Sequence, residues 1–162
     1  MRRVRIILTT LPERKPNRLK EYDYSTPGAY FITICVKDRL PMLSTIPVGA
    51  TIGRPIKPVL KKHDIIVEKA IKKIPKHYPT VSVDSYVIMP DHVHLLLQIH
   101  SEVGGRPLVA PTIERVIKQT KGAITKQIGF SIWQKSFYDH IIRNENDYRD
   151  IWEYIVNNPI KQ

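Results

Sequence analysis

Cysteine is nearly absent: Cys35 is the one thiol in 162 residues, so no internal disulfide can form and a reducing compartment is expected. It lies within "YFITICV" and reads as a small core residue. No apolar run reaches membrane-spanning length, and the apolar part of "MRRVRIILTT" is too short for a secretory signal. There is no short polybasic tail to favour a lipid surface, no P-loop pattern and no internal repeat. Acidic residues are also scarce, 15 Asp and Glu against 26 Lys and Arg, which leaves a net charge of +11. A soluble, cytoplasmic chain that basic is expected to meet a polyanion, nucleic acid first. Its length suits a single domain, 1–162, with a real core.

Prolines divide the chain. Pro12, Pro16 and Pro27 interrupt residues 1–28, a basic N-terminal arm. "AYFITICVKDR" (29–39) is β-branched and aromatic, hence a strand. Residues 41–58, with Pro41, Pro47, Pro55 and Pro58, form a Pro-rich loop. "LKKHDIIVEKAIKKI" (60–74) repeats apolar residues at helical spacing and turns lysines outward, with Pro75 and Pro79 expected to end it. Residues 80–89 and 92–100 read as a hairpin across a short Pro-Asp turn. A flexible loop (101–111) leads to Thr112, the expected N-cap of a second basic amphipathic helix. A strand-like piece follows within 131–143, then a last helix capped by Asn144. The order predicts an α+β fold: a ferredoxin-like or RRM-like antiparallel sheet with helices packed on one face.

Candidate chemistry begins in "YVIMPDHVHLLLQ". In a strand, i and i+2 share a face, so His92 and His94 form an imidazole pair. Such a pair can hold a divalent metal, or it can be two half-exposed residues on a sheet surface. In the last helix Tyr148, Ile151, Trp152 and Ile155 follow the core-stripe spacing, while Tyr154 and Asn158 share a flanking face. Two imidazoles and one amide oxygen would leave a metal open to phosphate oxygens. That metal could polarise a phosphodiester for attack by a phenol, which is a poor nucleophile at its free pKa near 10.

"MPDHVHLLL" resembles the HUH motif (His-hydrophobic-His) of the single-tyrosine transposases of the insertion-sequence type. "YDYSTPGAYFITICVKDR", "VAPTIERVIKQTKGAITKQIG" and "WQKSFYDHIIRNENDYRDIWEYIVNNPIK" resemble their REP-associated branch, over about residues 19–161. The resemblance implies a ferredoxin-like sheet with the HUH motif on a central strand, and a nucleophile near the C-terminus. It implies cleavage of single-stranded DNA at hairpin-forming repeats through a 5′-phosphotyrosine, with Mg²⁺ or Mn²⁺. By position His92 and His94 match the HUH pair, Tyr154 the nucleophile and Asn158 the amide ligand. His140 matches a recurrent position and takes a supporting role, with a sheet-packing histidine as the alternative. The family includes monomers and homodimers with swapped sites, so a homodimer is compatible, and its DNA partner implies nucleoid association.

Further DNA contacts are expected from the basic helix faces: Lys61, Lys62, Lys69, Lys72 and Lys73, then Arg115, Lys118 and Lys121. Tyr22 and Tyr24 in the lead-in are expected to stack on bases or touch the DNA backbone. Tyr138, beside Asp139-His140, is a weaker competitor for nucleophile. Two other classes stay open. One is a non-cleaving, domesticated nucleic-acid-binding module of the same fold, which would have no need of the full His92, His94, Tyr154, Asn158 set. The other is a metallohydrolase adding a carboxylate such as Asp91, which regular alternation would send to the opposite face.

Overall fold

A computed structural model describes residues 19–44, 62–101 and 111–158. Most of the basic arm, most of the Pro-rich loop, Lys61 and nearly all of the 101–111 loop lie outside the described residues. Strand β1 (Gly28–Cys35) is followed by helix α1 (Lys62–Lys72) and one further turn, α2 (Ile74–His77). Pro75 does not stop the helical path. It sits at the first turn of α2, where its missing N–H is not needed. Then come β2 (Val81–Ile88), β3 (His92–Ile99), α3 (Ile113–Ile128), β4 (Tyr138–Ile142) and α4 (Glu145–Asn157).

The strands form one antiparallel sheet in the order β2-β3-β1-β4, the ferredoxin-like arrangement. β3, carrying both histidines, is an interior strand. The caps are as the sequence predicts: Thr112 Oγ1 accepts from Arg115 N–H, and Asn144 Oδ1 from Asp147 N–H. Gly129 closes α3 at φ 96°, a left-handed C-cap.

Helices on one face of the sheet hold for α1 and α3 but not for α4. Val67, Ala70, Ile71, Val116, Ile117 and Ile124 pack on Tyr30, Ile32, Ile34, Val93, Leu95 and Leu97. On the opposite face Ile155 of α4 packs on Val87, Met89 and Leu96, flanked by Tyr148 and Ile151. Trp152, placed by spacing on the core stripe, is 43% exposed. The cause is a second apolar surface. β3 is buried along both faces, so the sheet needs cover on each side.

A bulge in β2 adds to that second face. Val83 pairs with Leu97 and Ser85 with Leu96, leaving Asp84 unpaired between them. The extra residue shifts the alternation, so Val87 faces α4 while Ile88 returns to the larger core. Asp84 then accepts the Tyr148 hydroxyl at 2.8 Å, which ties α4 to the sheet edge.

Candidate active site

The His92 and His94 side chains meet on the α4 face, their Nε2 atoms 3.1 Å apart. Each Nδ1 is held by an oxygen: His92 by Asp91 Oδ1 at 2.5 Å, His94 by Thr33 Oγ1 at 2.8 Å. A carboxylate can only accept, so His92 donates from Nδ1 to Asp91 and turns its Nε2 toward His94. Both rings are buried, at 7% and 5% exposure, and not half-exposed on the sheet surface. Burial first, then the neighbouring His92 and Arg39 charges, pushes His94 down to about 3, so its ring is neutral at physiological pH.

Asp91 is a correction to the sequence reading. β3 begins only at His92, so Asp91 belongs to the turn and escapes the alternation. Its backbone C=O accepts from Val36 N–H at 2.8 Å, and its carboxylate folds onto His92. A carboxylate on the far nitrogen of an imidazole is the usual way of orienting a metal-binding histidine.

Helix α4 lays Tyr154 against this pair. Its ring centroid is 5.4 Å from that of His94 and 6.0 Å from that of Phe31, both edge-on, while Phe31 stacks on His94 at 5.1 Å. Tyr154 is 40% exposed, so substrate can reach it from solvent. Asn158 follows one turn later at the end of α4 and is 4% exposed. Among the described residues, no three His, Cys, Asp or Glu side chains gather to hold a metal. Two nitrogens bound at about 2.1 Å and at right angles to one ion lie about 3.0 Å apart, so the imidazole pair fits such an ion. The Asn158 amide oxygen is a neutral donor of the kind such an ion accepts.

The other predicted residues scatter. His140 faces the site side of the sheet, but its Nε2 is bonded to Asp147 at 2.9 Å, fastening β4 to the first turn of α4. Tyr138 is 50% exposed on that edge strand. Tyr22 and Tyr24 are ring neighbours, 5.1 Å between centroids, and Tyr24 is buried in the larger core. Packing accounts for Tyr24, while Tyr22 is half-buried against the core and bonds to the Tyr30 hydroxyl. Lys62, Lys69, Lys72, Lys73, Arg115 and Lys118 are exposed, on helices that cover the face away from the histidines. Lys72 pairs with Glu68 at 2.8 Å. Lys121 turns inward and donates to the carbonyls of Gln134 and Ser136 at 2.6 and 3.1 Å, so it is no free phosphate contact. Thr33 and Arg39 carry no role in the sequence reading, and Asp91 is set there on the opposite face. Asp91 adjoins the motif, but the cross-strand register that brings Thr33 to His94 has no local signature.

Together these features define a ferredoxin-like domain with a buried imidazole pair on a central strand and a helix-borne tyrosine packed on it. Residues 29–158 match the family described as "Transposase IS200 like", and the chain belongs to that family. An uncharacterized protein of Haemophilus influenzae is 33% identical, over 91% of this chain and 88% of its own length. The REP-associated tyrosine transposase of Escherichia coli is 25% identical over 85% of this chain and 70% of its own. A solved REP-associated tyrosine transposase, bound to a REP hairpin, superposes with a TM-score of 0.61 at 24% identity, covering 88% of this chain and 74% of that one. No helix among the described residues is long and apolar enough to cross a membrane.

Proposed function

We propose that the protein is a metal-dependent single-strand DNA endonuclease and strand transferase, recognising hairpin-forming repeat DNA and cutting through a 5′-phosphotyrosine. The carrying observation is the convergence of the His92 and His94 Nε2 atoms beside the Tyr154 ring. Nucleic acid as substrate is supported by the +11 charge and by the REP hairpin held in the solved relative.

His92 Nε2, His94 Nε2 and the Asn158 amide oxygen would hold Mg²⁺ or Mn²⁺. When bound, such an ion supplies Lewis-acid polarisation of a phosphodiester. For both imidazoles to offer lone pairs there, His94 must carry its proton on Nδ1, where Thr33 Oγ1 accepts it. Tyr154 loses its phenolic proton and Oη forms a bond to phosphorus while the P–O3′ bond breaks. The electron pair leaves on the 3′-oxygen, which takes up a proton and becomes a 3′-hydroxyl. The downstream strand stays on Tyr154 through its 5′-phosphate. Attack by another 3′-hydroxyl reverses the step and joins strands, so no nucleotide triphosphate is consumed.

The test uses labelled single-stranded DNA from the regions flanking the gene, with Mn²⁺, resolved on a denaturing gel. A covalent adduct is expected from the parent, from Tyr138→Phe and from Tyr148→Phe, and none from Tyr154→Phe. Hairpin binding without an adduct on any substrate would instead favour the non-cleaving binding module.

A further inference from the structure

Arg39 ends the segment "YDYSTPGAYFITICVKDR" with no role assigned by the sequence, yet the fold takes unusual steps to place it. Asp38 and Arg39 both adopt φ 55°, two successive left-handed residues, neither of them glycine. L-residues rarely do this, because Cβ crowds the following carbonyl. Hydrogen bonds on both sides hold the turn: Val36 N–H to Asp91 C=O at 2.8 Å, Lys37 N–H to Ile132 C=O at 2.8 Å, and Arg39 N–H to Val36 C=O at 3.1 Å. Such outliers persist where their surroundings over-determine them, and they concentrate at functional sites.

This turn folds the guanidinium back over the end of the sheet. Nη1 donates to Cys35 Sγ at 3.2 Å, and Nε lies 3.5 Å from Asp91 Oδ2. Those contacts hold Nε and one N–H of Nη1, which leaves Nη1–Nη2 as its outer edge. Nη2 has no partner among the described residues, and the side chain is 55% exposed.

Register then fixes where Arg39 stands relative to the nucleophile. Tyr154 packs on Phe31 and His94, at the Leu96 end of the pair. Arg39 bonds to Cys35, opposite His92, and to Asp91 beyond it. Phe31 and Cys35 are about 13 Å apart at a strand rise of about 3.3 Å per residue. Tyr154 and Arg39 therefore flank the imidazoles from opposite ends. In an in-line displacement the attacking and leaving oxygens also lie on opposite sides of phosphorus. With Tyr154 attacking from one end, the strand that departs lies toward the other.

We propose that Arg39 is a substrate anchor: its outer edge binds the phosphate one nucleotide 5′ of the cut and retains the strand that leaves with the 3′-hydroxyl. This rests on the tyrosine mechanism proposed above. A planar guanidinium with one edge fixed by protein is suited to bidentate phosphate binding, where a lysine ammonium is only a point charge.

The test scans hairpin oligonucleotides bearing one neutral methylphosphonate at successive positions through the cut. Binding is read in the Tyr154→Phe background, with and without Arg39→Gln, and thermal melting verifies the fold. With Arg39 present, neutralising the phosphate 5′ of the cut should weaken binding about tenfold. With Arg39→Gln that position should become silent while the others keep their effects, and Arg39→Lys should recover part of the difference. If Arg39→Gln weakens every oligonucleotide alike, Arg39 only buttresses Asp91 and the assignment is overturned. An adduct from the parent alongside that uniform loss would leave the tyrosine chemistry standing. No adduct from any substrate would overturn the chemistry, and the leaving-strand assignment with it.

Discussion

The two faces of the sheet are built on different terms. Under α1 and α3 lies a continuous apolar layer, from Tyr30, Ile32 and Ile34 through Leu95 and Leu97 to Ile113 and Ile117. Under α4 the apolar layer is small, centred on Val87, Met89, Leu96 and Ile155, and beside it are two buried imidazoles. β3 belongs to both. Val93, Leu95 and Leu97 face the larger core, and His92 and His94, from the same eight residues, face α4 at the proposed site. One face can thus be altered with limited effect on the other, because period-2 alternation sends neighbouring side chains to separate environments.

The largest effect expected from breaking this division is on the chemical face. His92→Ala removes one of the convergent Nε2 atoms and strands the Asp91 carboxylate. Adduct formation should fall by at least about a hundredfold, while hairpin binding, carried mostly by phosphate contacts and shape, stays within a few-fold. Single-turnover gels and a binding isotherm check the two halves. Normal cleavage by this variant would make the pair ornamental.

On the other face the ranking reverses. Ile117 is fully buried between α3 and the sheet, and Ile117→Ala should cost about 2–5 kcal/mol by lost burial and the cavity left behind. Denaturant unfolding measures that loss. The adduct rate per folded molecule should not change, and a rate that collapsed at temperatures where the variant remains folded would show the faces to be coupled.

Acid should expose the cost of burying the pair. His94 has a folded pKa of about 3 against an ordinary 6.5, so the unfolded chain binds the proton more readily. Its contribution to stability is complete above pH 6.5 and is lost as pH falls toward 3. At pH 4.5, without metal, the loss should amount to about 2–3 kcal/mol. Unfolding followed against pH in chelator should show this slope, and His94→Leu should flatten it.

The same contrast decides what could be read in advance. The helix caps at Thr112 and Asn144, the hairpin, and the pairing of His92 with His94 are local patterns, and each is found where the sequence puts it. α4's placement depends on the sheet having a second apolar face, to which the bulge at Asp84 adds Val87. No period reveals a bulge. Tyr24 and Lys121 look like ligand-binding residues because composition cannot distinguish an exposed tyrosine or lysine from one that packs or caps carbonyls. Asp91 and Arg39 depend on turn geometry and two left-handed residues, below the resolution of any propensity.

The smallest effect separates two tyrosines on one helix. Tyr148 and Tyr154 both come from α4, but Tyr148 reaches back to the β2 bulge and donates to Asp84, and burial and then that bond push its phenol up to about 12. A phenol held protonated and occupied by a carboxylate is poorly placed to attack phosphorus. Its hydroxyl secures the helix that carries Tyr154. Tyr148→Phe keeps the ring against Ile151 and the sheet and loses one hydrogen bond, so unfolding free energy should drop by about 1 kcal/mol. Adduct yield should stay at the parent's level, because the Tyr154 ring still rests on His94 and Phe31. If Tyr148→Phe instead lost the adduct with its melting temperature intact, the hydroxyl would belong to the chemistry, and the separation between a structural and a reactive tyrosine on α4 would fail.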